Sequence, residues 1–334
     1  MKKKRILLIA TGGTIASKST LKGLAPLMST DEILRYVPLI RELCELECIQ
    51  IMNVDSTNMT PKHWLIIARC IEDCYIRYDG FVVLHGTDTM SYTAAALSYL
   101  IQDSYKPIVL TGSQRPIERE ITDAVTNMTD SFRYVCDKDS FGVSIVFDGK
   151  VILGTRARKT RTKSFNAFTS MDYPELAFIR DDRMVRYMKE KLPKEPVFYR
   201  TLNDRVFLLK LLPGMSPHIL QYLQEDYDAV IIESFGVGGV PAFENNDFED
   251  AIHDWIQSGK HIVMTTQVPH EGSDLGIYSV GQKYKHHYKV IESYDMTLEA
   301  AVTKLMWILA QTKDRQEVER LFYKTIAHDM LLYK

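Results

Sequence analysis

Short, almost continuously apolar runs recur along the first half of this chain, each separated from the next by a longer stretch of helical periodicity. The runs are Ile6–Ala10, Cys48–Met52, Phe81–Leu84, Pro107–Leu110 and Val143–Phe147. Runs of about four to eight apolar residues between turn signals fit strands buried on both faces. Such strands belong to parallel sheets, whose crossover helices cover both sides. The helical stretches carry their own punctuation. Ser29-Thr30-Asp31-Glu32 has capping-box spacing, with Ser29 as N-cap. Thr60-Pro61 is an N-cap followed by proline at a first helical position, and Trp64, Leu65, Ala68, Ile71 and Tyr75 then recur on one face. The pattern predicts an α/β fold built on a mostly parallel sheet with helices on both faces.

At 334 residues the chain exceeds one ordinary core, so two domains are expected at roughly 100–200 residues each. A polar, proline-bearing stretch breaks the rhythm and reads as a linker. The expected division is a larger N-terminal domain over 1–185, a linker over 186–204 and a smaller, Rossmann-like α/β domain over 205–334. The second domain repeats the alternation: strand Val206–Leu211, a helix from Ser216, strand Ala229–Ile232, helix Asn246–Gln257 and strand His261–Thr265. Helices across Thr297–Ala310 and Arg315–His328 then close the chain.

Composition removes several function classes. A net charge of −2 and a pI near 6.5 give no footprint for nucleic acid or an anionic membrane. With 46% hydrophobic residues, folding needs no metal or disulfide staple. The cysteines are Cys44, Cys48, Cys70, Cys74 and Cys136, with no Cys-x-x-Cys pair, so a reducing cytoplasm is the expected location. Lys2-Lys3-Lys4-Arg5 and the apolar run behind it imitate a signal peptide, but the run is too short for one. No stretch approaches a membrane span.

In open α/β sheets ligands bind beyond the carboxyl ends of strands. Here those ends read Thr11-Gly12-Gly13-Thr14, His85-Gly86-Thr87-Asp88-Thr89 and Thr111-Gly112-Ser113-Gln114, and the loop before the Thr60 helix reads Asp55-Ser56-Thr57-Asn58. Hydroxyls, glycines and one acid, without a phosphate clamp, suit a small polar ligand. Gly12-Gly13 has neither the Gly-x-Gly-x-x-Gly spacing nor the Gly-Lys-Ser/Thr ending of a nucleotide loop. A threonine hydroxyl is a weak nucleophile that needs a base or charge relay, and lysine can serve. The segment after Val151–Leu153 carries Arg156, Arg158, Lys159, Arg161 and Lys163, among which charge counting cannot choose.

These segments resemble, in order, the bacterial-type L-asparaginase family, in particular its type I, cytoplasmic branch. The resemblance rests on Thr11-Gly12-Gly13-Thr14-Ile15-Ala16, Val54-Asp55-Ser56-Thr57-Asn58-Met59-Thr60-Pro61, Leu84-His85-Gly86-Thr87-Asp88-Thr89-Met90-Ser91 and Leu110-Thr111-Gly112-Ser113-Gln114-Arg115-Pro116. Arg156-Ala157-Arg158-Lys159 with Phe165-Asn166-Ala167-Phe168, Phe235-Gly236-Val237-Gly238 and Asp295-Met296-Thr297-Leu298-Glu299-Ala300 extend it over nearly the whole chain. The resemblance implies hydrolysis of L-asparagine to L-aspartate and ammonia through an acyl-enzyme, with Thr14 as nucleophile and Thr87, Asp88 and Lys159 as a second catalytic group. It implies that Asp88 binds the substrate ammonium, that Ser56 with the backbone of Asp55 and Thr57 binds its carboxylate, and that the Ser113 carbonyl receives the amide nitrogen. Backbone N–H groups near Thr14 and Thr87 are the implied oxyanion donors, and Gly86 is a further implied substrate-binding residue. No metal or organic cofactor is implied, and a homodimer or homotetramer is expected. Alternatives within the same resemblance are a dual glutaminase-asparaginase, an amide-supplying subunit for transfer-RNA amidation and an amino-acid sensor. Met1 directly before the first strand argues against the amidation subunit, which carries an additional N-terminal domain.

The chain also departs from the family pattern. Leu24 stands where the family has a tyrosine over the first threonine, so activation of Thr14 must come from elsewhere. Glu233 and Val268 replace an arginine and a cysteine of a second, regulatory asparagine site, and an acid there repels the ligand's carboxylate. Gly239 replaces an asparagine after Gly-Val-Gly. The remaining prominent residues have structural readings: His85, Trp64 and Tyr92 in the core, and Cys70 and Cys74 as small buried hydrophobes. His286-His287 reads as surface loop, and Arg115, Glu118, Arg119 and Glu120 as a charged rim.

Overall fold

The computed structural model describes residues 3–13, 15, 17–20, 23–26, 30–189, 191–241, 247–277 and 279–331. It separates into two compact units, Met1–Arg200 and Thr201–Lys334.

Unit one is built on an eight-stranded sheet. In chain order its strands are β1 (Arg5–Ala10), β2 (Glu45–Gln50), β3 (Gly80–Leu84), β4 (Pro107–Thr111), β5 (Gly142–Phe147), β6 (Lys150–Leu153), β7 (Ala177–Arg180) and β8 (Arg183–Val185). Across the sheet they run β8-β7-β6-β5-β4-β3-β1-β2. The pairings from β2 to β5 are parallel, and β6, β7 and β8 add antiparallel strands beyond β5. From β1 the chain runs to β2 on one side and then crosses to β3 on the other. The strand order therefore reverses between β1 and β3, and a crevice opens beyond their carboxyl ends.

Every residue of β3 and β4 is buried, as the unbroken apolar runs predict for central strands. β2 is the exception, because it is an edge strand with mostly exposed residues. It begins at Glu45, three residues before the apolar run suggests, because its bounds follow its pairing with β1, from Arg5 opposite Glu45 to Ala10 opposite Gln50. Three helices dominate the cover: α1 (Pro61–Cys74), α2 (Met90–Leu100) and α3 (Ala124–Cys136). Met128, Phe132 and Val135 of α3 join Ile6, Leu8, Val82, Leu84 and Val109 in one core cluster. Tyr75, at the end of α1, stacks on Phe81, which alternation points to the opposite face. Both faces are thus covered. The Thr60 start holds, with the Thr60 N–H donating to His63 Nδ1 at 3.0 Å. Ser29 lies outside the described residues, and a helix over Thr30–Arg35 follows it. Trp64 and Cys74 are buried as expected, whereas Tyr92 and Cys70 are only half-buried.

Two hairpins complete unit one near its functional loops. Ser17–Thr20 pairs with Gly23–Pro26, placing the backbone of Leu24 opposite Ser19. Ala157–Lys159 pairs with Phe168–Ser170. Along 186–200 the chain is tied to this unit: Arg186 donates to Asp137, Val197–Phe198 pairs with Ile101–Gln102, and Arg200 forks onto Glu72.

Unit two carries four parallel strands in chain order, Val206–Lys210, Ala229–Ser234, His261–Thr266 and Ile291–Glu292. Its helices are Ile219–Leu223, Asp247–Gln257, Ser279–His286, Leu298–Leu309 and Arg315–Tyr323. The stretch expected as loop at His286-His287 is helical up to His286, since Tyr284 is drawn into the core. The last helix ends at Tyr323 rather than His328. Ala327 and His328 have φ of +47° and +49°, which a helix cannot accommodate, and the turn carries Asp329 to a buried ion pair with Lys304.

Candidate active site

Three strand ends stand abreast at the crevice, because Ala10 of β1 pairs with Leu84 of β3, and Leu84 with Thr111 of β4. The loops leaving β1 and β3 press backbone against backbone. Gly13, at φ +92°, lies so close to the next loop that an added Cβ would stand 2.5 Å from the Gly86 nitrogen. Gly12, at φ +111°, faces the Val54 carbonyl in the same way at 2.6 Å. Glycine is required at both for two independent reasons, the left-handed backbone and the missing space. Thr14 itself lies outside the described residues, between Gly13 and the fully buried Ile15.

The Asp55–Asn58 loop locks onto the β3 loop. Asp55 Oδ1 accepts from the Thr57 N–H and hydroxyl, each at 3.0 Å, and so caps the short 3-10 turn Ser56–Asn58. Ser56 is buried, its Oγ accepts from the Asp88 N–H at 3.3 Å, and its carbonyl accepts from Thr89 Oγ1 at 2.8 Å. A Cβ on Gly86 would come within 2.5 Å of Ser56 Oγ, so these two residues also touch.

Lys159 reaches this loop from its hairpin. Its Nζ donates to Thr87 Oγ1 at 2.8 Å and to Asp88 Oδ1 at 2.6 Å. The lysine side chain is 15% exposed and that of Asp88 is 55% exposed, so the group is sheltered on the lysine side and open on the acid side. Geometry thus distinguishes among the basic residues of this segment. Arg156 is fully buried over the Tyr173 ring, Arg161 bonds to Thr160 and Asn166 at the surface, and Lys163 is exposed. Ser113 is buried beside the group, with its hydroxyl donating to the Arg115 carbonyl. Thr87, Asp88, Lys159, Ser56 and Gly86 are therefore directly linked, with Asp55 and Thr57 bracing Ser56.

Three participants escape a reading of residue types along the chain. Gln114 Oε1 accepts from Thr87 Oγ1 at 3.1 Å. Asp123 holds the turn carrying Gln114, its carboxylate accepting from the backbone N–H of Gln114 at 2.8 and 3.1 Å and of Arg115 at 3.1 Å. Asn127 bridges Asp123 Oδ2 and the Gly112 carbonyl. The available signal was the i, i+4 spacing of Asp123 and Asn127 at the start of α3, just after a strand-end loop. His85 is core, as its apolar context predicts. Its Nδ1–H donates to the Gly86 carbonyl, its Nε2 accepts from Thr93, and burial pushes its pKa down to about 4. Among the described residues no cluster of three or more His, Cys, Asp or Glu side chains is disposed to hold a metal, and no helix is long and apolar enough to cross a membrane.

Residues 5–192 match the family model "Asparaginase, N-terminal", and residues 205–322 match "Glutaminase/Asparaginase C-terminal domain". The chain belongs to the asparaginase family. It is 36% identical to the L-asparaginase of Thermococcus kodakarensis over 98% of this chain and 99% of that protein. The solved structure of the thermostable L-asparaginase from that organism superimposes with a TM-score of 0.93, covering 98% of this chain and all of that one. L-asparaginase I of Vibrio cholerae, 28% identical, gives a TM-score of 0.89 over 99% of this chain and all of that one. A glutamyl-tRNA(Gln) amidotransferase subunit from Methanosphaera stadtmanae is 35% identical over 98% of this chain and 77% of its own length. In asparaginase terms, the linked side chains all lie within the segment matched by the N-terminal model.

Proposed function

We propose that this asparaginase-family chain hydrolyses the side-chain amide of L-asparagine through an acyl-enzyme on Thr14. The observation that carries the reading is Lys159 Nζ within hydrogen-bond reach of both Thr87 Oγ1 and Asp88 Oδ1 at the sheet's switch point, on a loop that touches Gly13. A hydroxyl beside an ammonium that is itself paired with a carboxylate is the arrangement a threonine needs to take part in proton transfer.

The Thr14 hydroxyl attacks the amide carbon, the C–N bond breaks, and the proton leaves with the nitrogen as ammonia. Water then attacks the ester carbonyl, returning a proton to Thr14 and releasing aspartate. Ser56 and the Thr57 backbone, braced by Asp55, receive the α-carboxylate. Asp88 offers its exposed side to the α-ammonium, and the Ser113 carbonyl receives the amide N–H. Backbone N–H groups near Thr14 and Thr87 stabilise the oxyanion, and Gly86 lines the substrate site. Side chains and water suffice for this route, without metal or organic cofactor. Assembly as a homodimer or homotetramer in the cytoplasm belongs to the same reading.

Ammonia release from asparagine and from glutamine is the test. Thr14→Ala, Thr87→Val and Lys159→Met should each lower kcat on asparagine by about a hundredfold or more. Full turnover by Thr14→Ala would overturn the nucleophile assignment. The names of the amidotransferase relatives give a second reading, an amide-supplying subunit. Turnover of free asparagine by the purified chain alone separates the two.

A further inference from the structure

The Ser113 carbonyl is a buried acceptor in want of a donor. Ser113 is 1% exposed, and among the described residues no N–H or O–H donates to its carbonyl oxygen. Its hydroxyl is already spent on the Arg115 carbonyl, at 2.5 Å. Buried backbone carbonyls are nearly always paired, so one left open beside a crevice points to a ligand that donates. Ser113 does lie beside the crevice. At the neighbouring Gly112 an added Cβ would stand 2.2 Å from the His85 carbonyl oxygen, so this turn packs on the loop that carries Gly86 and Thr87.

Asp123 sets the direction of that carbonyl. The Ser113 C=O and the Gln114 N–H share one planar trans peptide, in which the two bonds point opposite ways. Both oxygens of Asp123 accept from this N–H, at 2.8 and 3.1 Å, so the carbonyl points away from the carboxylate. Oδ1 also accepts from the Arg115 N–H, and Oδ2 from Asn127 Nδ2, each at 3.1 Å. Asn127 in turn donates to the Gly112 carbonyl at 3.0 Å. Asp123 and Asn127 are both buried, one just before α3 and the other in its first turn. The peptide plane is thus locked from α3, and a negative charge at its N–H end polarises it, making the oxygen a stronger acceptor. We infer that Asp123 is a positioning residue that aims the Ser113 carbonyl at the N–H of the scissile amide, and so favours carboxamides over esters. The inference rests on the amidase reading above. An ester presents an oxygen lone pair at that place, to which a carbonyl oxygen cannot bond.

The test sets L-asparagine against the β-methyl ester of L-aspartate, using the full chain and its Asp123→Asn variant. Asparagine is nearly isosteric with aspartate, but each carboxylate oxygen faces only donors. Whichever way the new amide turns, its NH2 opposes an N–H. The variant should lower kcat/KM for asparagine about tenfold, the scale expected when a contact to the reacting group is misplaced. The ester, which never used that contact, should stay within about twofold in kcat/KM, or in its Ki against asparagine if its turnover is too slow to follow. If Asp123→Asn does not fold, Asp123→Ser takes its place, since it removes the carboxylate without adding an NH2. Unchanged turnover of asparagine overturns the role of Asp123, and so does an equal loss on amide and ester. Ammonia release by the wild type keeps the two readings apart. Without it the amidase reading fails; with it and an unshifted amide-to-ester ratio in the variant, only the role of Asp123 fails.

Discussion

Burial alone holds the His85 imidazole neutral, and its two hydrogen bonds use that neutral form completely. The Nδ1–H goes to the Gly86 carbonyl and Nε2 receives the Thr93 hydroxyl. Desolvation lowers its pKa from the ordinary 6.5 to about 4, against the opposing effect of the Gly86 carbonyl. An unfolded chain takes up a proton on His85 as the pH falls below 6.5, whereas the folded chain does so only near 4. Stability is therefore lost as the pH falls through that window, by about 2 kcal/mol between pH 7 and 5. Asp130 acts in the opposite sense. Burial raises its pKa from 3.8 to about 6, so its contribution is present at low pH and is lost as the pH rises through 6. Urea unfolding of wild type and His85→Gln at pH 7 and pH 5 isolates the histidine part. The variant should lose less stability on acidification, and identical losses would contradict the assignment. At this scale legibility was uneven. Thr87 and Asp88 stand at a strand end where function is expected, whereas residue types left Lys159 among several basic neighbours until the family resemblance selected it. Its role depends on a hairpin that carries it to Thr87, 72 positions away. Gln114 and Asp123 were missed because their partners are backbone groups and a hydroxyl from other segments.

Among the elements, the strands were the most legible. β1, β3, β4 and β5 are covered on both sides and so are mostly apolar, whereas the edge strand β2 has no such constraint and its start was misplaced. The crevice loops were legible as loops, but their contact was not, since close approach is a relation between two segments. Gly86 shows what that approach demands. Its Cβ would stand 2.5 Å from Ser56 Oγ and 2.7 Å from Ser56 Cβ. Ser56 is buried and fixed by Asp88 and Thr89, so it has little room to retreat. Gly86→Ala should therefore displace the Ser56 loop and raise KM for asparagine about tenfold or more, since overpacking shifts backbone at a cost of about 1–3 kcal/mol. Initial-rate kinetics check this, and an unchanged KM would show that the loop yields without affecting substrate.

For the whole molecule, the two sheets differ in the property that creates binding sites. Unit one has a reversal of strand order, and the functional hydroxyls gather there. Unit two has its four parallel strands in simple sequence, with no such reversal. A regulatory asparagine site in unit two would have to be made by side chains, and the relevant ones disfavour it. Glu233 is buried, with Lys210 Nζ at 3.9 Å, so that cation already faces an acid. Gln267 spends its Nε2 on the Leu211 and Glu233 carbonyls, and Val268 presents an exposed apolar side chain. An incoming α-carboxylate meets a like charge at 233 and no polar side chain at 268. Allosteric activation requires the effector to bind one conformation better than another, and a site that repels the ligand supplies no such difference. The initial rate should therefore rise hyperbolically with asparagine, with a Hill coefficient of about 1. A sigmoidal curve that becomes hyperbolic on Glu233→Ala or Val268→Asp would show that this region binds asparagine after all.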